Sequence, residues 1–221
     1  MIDDIWYLYT LIDEMSSVTE GHADLYLIGG GAMMFLGSKE YTKDIDLVVS
    51  SKEEFQIVID ALSSLGFRSD RPSDGMGKVN ISDTQVRGRY RVDLFNRVVC
   101  GQLQLSESMK KRSHEQYRTS NYSLHSCSAE DIFLLKSVTE REGDISDCNN
   151  LIRVSPEFDW NSFIEELKVQ ISFGNPVWIT YVMDRMIRMD FKNRRPDVFK
   201  RVFELEEEYL QNWADGFEST H

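Results

Sequence analysis

The chain has 221 residues, 41% of them hydrophobic and 11% aromatic, enough to bury a core as one compact domain or two small ones. Its formal net charge of −12 argues against broad coating of a nucleic-acid backbone, while leaving room for a local basic groove or an acidic site screened by metal ions. Cys100, Cys127 and Cys148 form no CxxC or Cys/His pattern, which speaks against zinc and a disulfide framework and for a reducing cytoplasm.

Taken in chain order, MIDDIWYLYTLIDEM lacks the basic start of a signal peptide, and no stretch reaches the roughly 20 apolar residues of a membrane span. A soluble cytoplasmic protein with no membrane partner is expected. Ile5, Trp6, Tyr9, Ile12 and Met15 make one apolar helical stripe over 2–18. Asp24–Ile28 is a short buried strand that runs into Gly29-Gly30-Gly31, and Ala32–Leu36 suits a brief helix ended by Gly37. Lys43–Val49 is a second strand with acids at alternate positions. Ser51 and Glu54 form a capping box for a helix whose stripe ends at Gly66. Residues 68–77 are loop by composition, and Lys78–Ser82 and Arg89–Phe95 are further strands. From Ser128 onward the pattern is helical, punctuated by Pro156, Pro176 and Pro196. The expected architecture is α/β (α+β): a mixed sheet with flanking helices over 1–125, then a helical domain over 126–221.

Three acids stand out. Side chains alternate along a strand, so Asp44 and Asp46 share one face about 7 Å apart. Such a pair repels unless a cation sits between, and magnesium suits a few carboxylate oxygens with room left for water and phosphate. Asp93, in the similar strand VDLF, can reach the same ion from a neighbouring position. The Gly29-Gly30-Gly31 bend, between strand and helix, lets backbone N–H groups approach a phosphate. Each feature alone has a plainer reading: a DxD on a solvated edge, a glycine turn, an Asp93–Arg91 surface pair. Their order along the chain is what joins them.

LIGGGAMMFLGSKEYTKDIDLVV, residues 27–49, resembles the first signature of the polymerase-β-like nucleotidyltransferase superfamily, and most of all its minimal and AbiEii-type branch, which includes nucleotidyltransferase toxins. The resemblance implies a nucleotidyltransferase-type sheet and metal roles for Asp44, Asp46 and Asp93, with Mg2+ or Mn2+ as the ion. It also implies a nucleoside triphosphate held against Gly29, Gly30 and Thr42, and transfer of a nucleoside monophosphate to a hydroxyl acceptor with release of pyrophosphate. Asp93 would act as base or as the ligand orienting it. Residues 128–151 are similar to a helix of these proteins in which Lys136, Arg141, Asp144 and Asp147 match. By that likeness Lys136 approaches the triphosphate, and the others order the helix; Arg141 with Asp144 also reads as a surface pair. The chain departs from many relatives at Glu40, where they carry Arg, and at Gly31, where they carry a longer aliphatic residue.

A protein hydroxyl, a tRNA end and a small molecule are all acceptors used within this fold, and a part in a toxin–antitoxin pair is one context for it. The alternative function is a catalytically silent nucleotide-binding or protein-interaction partner. A Rossmann turn fits poorly, because Met34 stands where Gly or Ala belongs and the helix ends at Gly37. Lys110-Lys111-Arg112 reads as a solvated helix face. Trp160, Trp178 and Trp213 read as core or interface, and Met183–Met189 as core with an oligomer surface as second reading.

Overall fold

Apolar β-branched runs and capped helical stripes alternate through the first half of the chain, and they assemble as a mixed sheet with helices packed on it. The structure, a computed structural model, describes residues 2–70, 83–174 and 176–218. The first half comprises α1 (Trp6–Ser17), β1 (Ala23–Ile28), α2 (Gly29–Phe35), β2 (Ile45–Val49), α3 (Lys52–Ser64), β3 (Arg68–Ser69), β4 (Asp83–Arg87) and β5 (Tyr90–Asn96). A small ribbon of β6 (Val98–Val99) and β7 (Leu103–Gln104) leads to α4 (Glu107–Arg112), β8 (His114–Arg118) and β9 (Tyr122–Ser126). Every later element is helical: α5 (Ala129–Ser137), α6 (Glu142–Val154), α7 (Trp160–Ile171), α8 (Trp178–Arg188), α9 (Phe191–Arg194) and α10 (Pro196–Glu218). The fold is thus the expected α/β arrangement of a mixed sheet followed by a helical region.

The main sheet runs β3-β4-β5-β2-β1-β9-β8. β2 is antiparallel to β1 and parallel to β5, which makes it a central strand buried from both sides. Helix starts follow local capping chemistry: Ser51, Ser106, Ser128 and Asp159 each accept a hydrogen bond from a first-turn backbone N–H. α3 packs on β1, β2 and β5, while α2 lies against β1, β2 and α5. In the helical region Phe133, Phe158, Trp160, Phe163 and Phe191 pack largely edge to face as one aromatic core.

Several expectations shift. The three glycines are not a turn before α2; they are its first residues, with Gly29 in the left-handed region at φ 59°. Strands β8 and β9 were unexpected, because β8 is a polar edge strand and β9 buries Ser123 and Ser126. Trp6 is 70% exposed, since the buried stripe of α1 is Leu8, Leu11, Ile12 and Met15. Trp160 and Trp178 are buried, but Trp213 is 57% exposed. Met183, Met186 and Met189 are core. The strand expected over Lys78–Ser82 lies outside the described residues. No helix among the described residues is long and apolar enough to cross a membrane.

Candidate active site

β2 brings the acids into one place. Asp46 pairs directly with Asp93 across the parallel β2–β5 ladder, and with Ile28 on its other side. Asp44 lies in the bend just before β2, where its Oδ1 stands 3.8 Å from Arg91 Nε and its charge acts on Asp46. The proximity registers as charge repulsion. Burial, then the charges of Asp93 and Asp44, push the Asp46 carboxyl up to about 7. Burial and Asp93 also raise Asp44, against the opposing pull of Arg91. No hydrogen-bond donor among the described residues relieves Asp46.

The glycines back this face. A Cβ on Gly29 would land on Asp46 Oδ2, and one on Gly30 would land on Thr42 Oγ1. At Gly31 it would meet Leu27 Cδ1 at 2.9 Å. The first two glycines therefore let the start of α2 press against the DxD strand, and the third serves packing with β1. Thr42 donates from Oγ1 to the carbonyl of Asp44 at 3.1 Å, which fixes the approach to β2.

Asp93 is held from two sides. Thr84 Oγ1, its cross-strand partner on β4, donates to Oδ1 at 2.8 Å. Arg91 Nε donates to Oδ1 and Oδ2 at 2.9 and 3.2 Å and lies 3.8 Å from Asp44 Oδ1. With Asp93 so engaged, no three His, Cys, Asp or Glu side chains among the described residues are already drawn together as a cation cage. The three carboxylates act on one another through their charge, but their oxygens have not converged on a point.

Lys136 is 5% exposed, and its Nζ donates to Asp144 Oδ1 at 2.8 Å and Asp147 Oδ2 at 2.7 Å. Although burial opposes it, this pairing raises the Lys136 pKa. Burial likewise works to raise Asp144, but Lys136, Thr139 and Arg141 together hold its carboxyl down at about 2. Asp147 also accepts from Lys39 Nζ at 2.8 Å, and the Lys39 stem runs 3.8 Å from where a Gly30 Cβ would stand. The Lys39 stem thus passes beside the glycine bend while its ammonium, like that of Lys136, is held by Asp147, and Lys136 also acts on Asp46 through its charge. Sequence reasoning passed over Lys39. From α8, the 2% exposed Arg185 donates to the carbonyls of Lys136 and Thr139 at 3.3 and 2.6 Å, tying the helical region to this cluster.

Arg112, expected on a solvated face, instead pairs with the buried Asp131 and Glu166. Burial lifts Asp131 to about 6 despite that pairing. This second network joins α4, α5 and α7 and lies apart in sequence from the three acids.

Residues 7–172 match the family described as "Nucleotidyltransferase of unknown function (DUF6036)". The chain belongs to that family. The fold is also similar to two structures of the antibiotic-resistance factor ANT(2'')-Ia. The solution structure of that antibiotic-resistance factor is 11% identical, covering 76% of this chain and 90% of the other at a TM-score of 0.48. The crystal structure with adenylyl-2''-tobramycin is 12% identical, covering 76% and 97% at a TM-score of 0.49. No curated protein matches the chain in sequence.

Proposed function

We propose that this nucleotidyltransferase-family protein moves a nucleoside monophosphate from a nucleoside triphosphate to a hydroxyl acceptor, with release of pyrophosphate, at Asp44, Asp46 and Asp93. The observation that carries the reading is the direct cross-strand pairing of Asp46 with Asp93, beside a carboxylate at Asp46 that no donor relieves. Mg2+ or Mn2+ fits this donor set, because hard carboxylate oxygens with excess negative charge lie at a partly exposed face. Asp44 and Asp46 would hold the ion, with Asp93 as third ligand. When bound it supplies charge neutralisation at the phosphates and a lowered pKa for a coordinated hydroxyl.

The remaining work falls to the chain's own groups. The side-chain-free edges of Gly29 and Gly30 allow close backbone approach to the phosphates, with the Thr42 hydroxyl beside them. The Lys39 stem passes beside that bend on its way to Asp147, and Lys136 adds positive potential without leaving its carboxylates. Asp93 Oδ2, which lacks the Thr84 bond made by Oδ1, is the oxygen that takes or orients the acceptor's proton. The free thiols Cys100, Cys127 and Cys148 agree with a cytoplasmic setting, where nucleoside triphosphates are abundant.

The test is transfer of α-labelled nucleotide, together with pyrophosphate release. Each of the four nucleoside triphosphates is offered with a protein, a tRNA and a hydroxylated small molecule, with and without Mg2+ or Mn2+. Label on an acceptor that disappears in Asp46→Asn supports the reading; no pyrophosphate from any nucleotide sinks it. The silent-partner reading draws on the Arg91–Asp93 pair, which occupies the third acid. Nucleotide binding with no turnover would favour it. A toxin-type role would show as growth arrest on induction that Asp46→Asn abolishes.

A further inference from the structure

The geometry points to Arg91 as a resident counter-cation: its guanidinium neutralises Asp93 and Asp44 in the metal-free chain and must release them when a divalent ion binds. The inference rests on the metal-binding reading of the three acids given above.

Arg91 sits two residues before Asp93 on β5, so strand alternation places both side chains on one face. Its Nε contacts both oxygens of Asp93 at 2.9 and 3.2 Å and stands 3.8 Å from Asp44 Oδ1, spanning two of the three acids. Nη2 also reaches Thr84 Oγ1 at 3.4 Å, and that hydroxyl occupies Oδ1 of Asp93 as well. Both Asp93 oxygens therefore already face a donor. A divalent ion takes carboxylate oxygens at about 2.1 Å, and it repels a guanidinium held on those same oxygens. Ion and Arg91 consequently compete for the same oxygens.

Exposure decides which cation can move. The Arg91 side chain is 39% exposed and can swing toward solvent with little rearrangement, whereas the Lys136 side chain is enclosed between two carboxylates. A fixed ammonium and a releasable guanidinium thus flank one acidic site.

Mn2+ titration followed by electron paramagnetic resonance, on the full chain without nucleotide, tests this. Arg91→Gln should bind Mn2+ about tenfold tighter than the natural protein, and Arg91→Lys, which keeps charge without the planar fork, should fall between. Metal-free Arg91→Gln should melt lower than the natural protein and recover more on adding Mn2+. Equal affinities in all three proteins overturn the role of Arg91 and leave the metal site standing; no Mn2+ binding in any of them overturns the metal site and this inference with it. A measurement without a variant guards against misfolding. In the natural protein, the Nε–Hε nuclear magnetic resonance signal of Arg91 should move as Mg2+ saturates. A signal that stays put while the ion binds overturns the inference.

Discussion

Asp144 and Asp147 are enclosed by three cations, Lys136, Lys39 and Arg141, with the Thr139 hydroxyl added. Of Asp44, Asp46 and Asp93, the first and last share one partly exposed Arg91, and Asp46 has no ion-pair partner among the described residues. Both clusters take a carboxylate pair from one short segment, yet one pair is driven down in pKa and the other up. The difference separates scaffold from site. On the function proposed above, the saturated ion cluster positions its neighbours, whereas the cluster short of positive charge would receive some from outside.

Breaking the deficient cluster should give the largest functional effect. Asp46→Asn is expected to lower nucleotidyl transfer by about a thousandfold or more, in line with loss of a group acting on transition-state charge. The same change should leave the metal-free melting temperature level or raised, because it removes a charge that Asp93 and Asp44 repel. Transfer measured alongside calorimetry checks both halves. An enzyme that keeps its rate, or loses its fold, would erase the contrast.

Breaking the saturated cluster should invert that pattern. Lys136→Met leaves Asp144 with Arg141 and Thr139 and Asp147 with Lys39 alone, and urea unfolding should show a loss of about 1–3 kcal/mol, the range for a charged hydrogen-bond partner removed from a buried group. A loss under about 1 kcal/mol would mean the cluster is not scaffold.

How far this contrast could be read from sequence depends on range. Asp46 was legible as a strand residue because the apolar run Leu47-Val48-Val49 announced β2, whereas Asp44, expected on the same strand, falls in the bend just before it. Asp93 was found by its similar surroundings, but its register against Asp46 is a long-range fact that no spacing encodes. The glycines were legible as backbone freedom. That Gly29 and Gly30 make room for Asp46 and Thr42 depends on how α2 lies against β2. That Lys136 pairs with Asp144 and Asp147 could not be read from sequence, because a lysine's partners are unknown until the helix after it turns back. Arg112 looked solvated for the same reason: Asp131 and Glu166 are 19 and 54 residues away. The edge strand β8 was missed because edges are polar.

The two clusters should also answer pH with opposite signs. The folded pKa of Asp144 lies below its usual 3.8, so its stabilisation is complete above that value and is lost as pH falls through about 2. The loss amounts to about 2 kcal/mol. The folded pKa of Asp46 lies above 3.8, so the metal-free fold is favoured below that value and loses this contribution as pH rises through about 7. Urea midpoints from pH 2 to 8 should therefore fall at both ends on account of these two groups. Asp46→Asn should flatten only the neutral side, and a neutral limb unchanged by it would remove Asp46 from the account.

The smallest effect separates backbone strain from the site itself. Gly29 and Gly37 both hold positive φ, 59° and 68°, so alanine at either should cost about 1–2 kcal/mol of stability. Their surroundings differ: a Cβ at Gly37 meets nothing within 4 Å, whereas one at Gly29 collides with Asp46 Oδ2. Gly37→Ala should therefore weaken the fold and keep the natural Mn2+ affinity. Gly29→Ala should weaken the fold by a similar or somewhat larger amount and lose Mn2+ affinity as well, because the Asp46 carboxylate must turn away. Comparing melting temperature with Mn2+ titration in the pair cancels the shared strain. If both variants lose the same Mn2+ affinity, the glycine bend supports α2 alone and the pressing of Gly29 against Asp46 has no part in holding the ion.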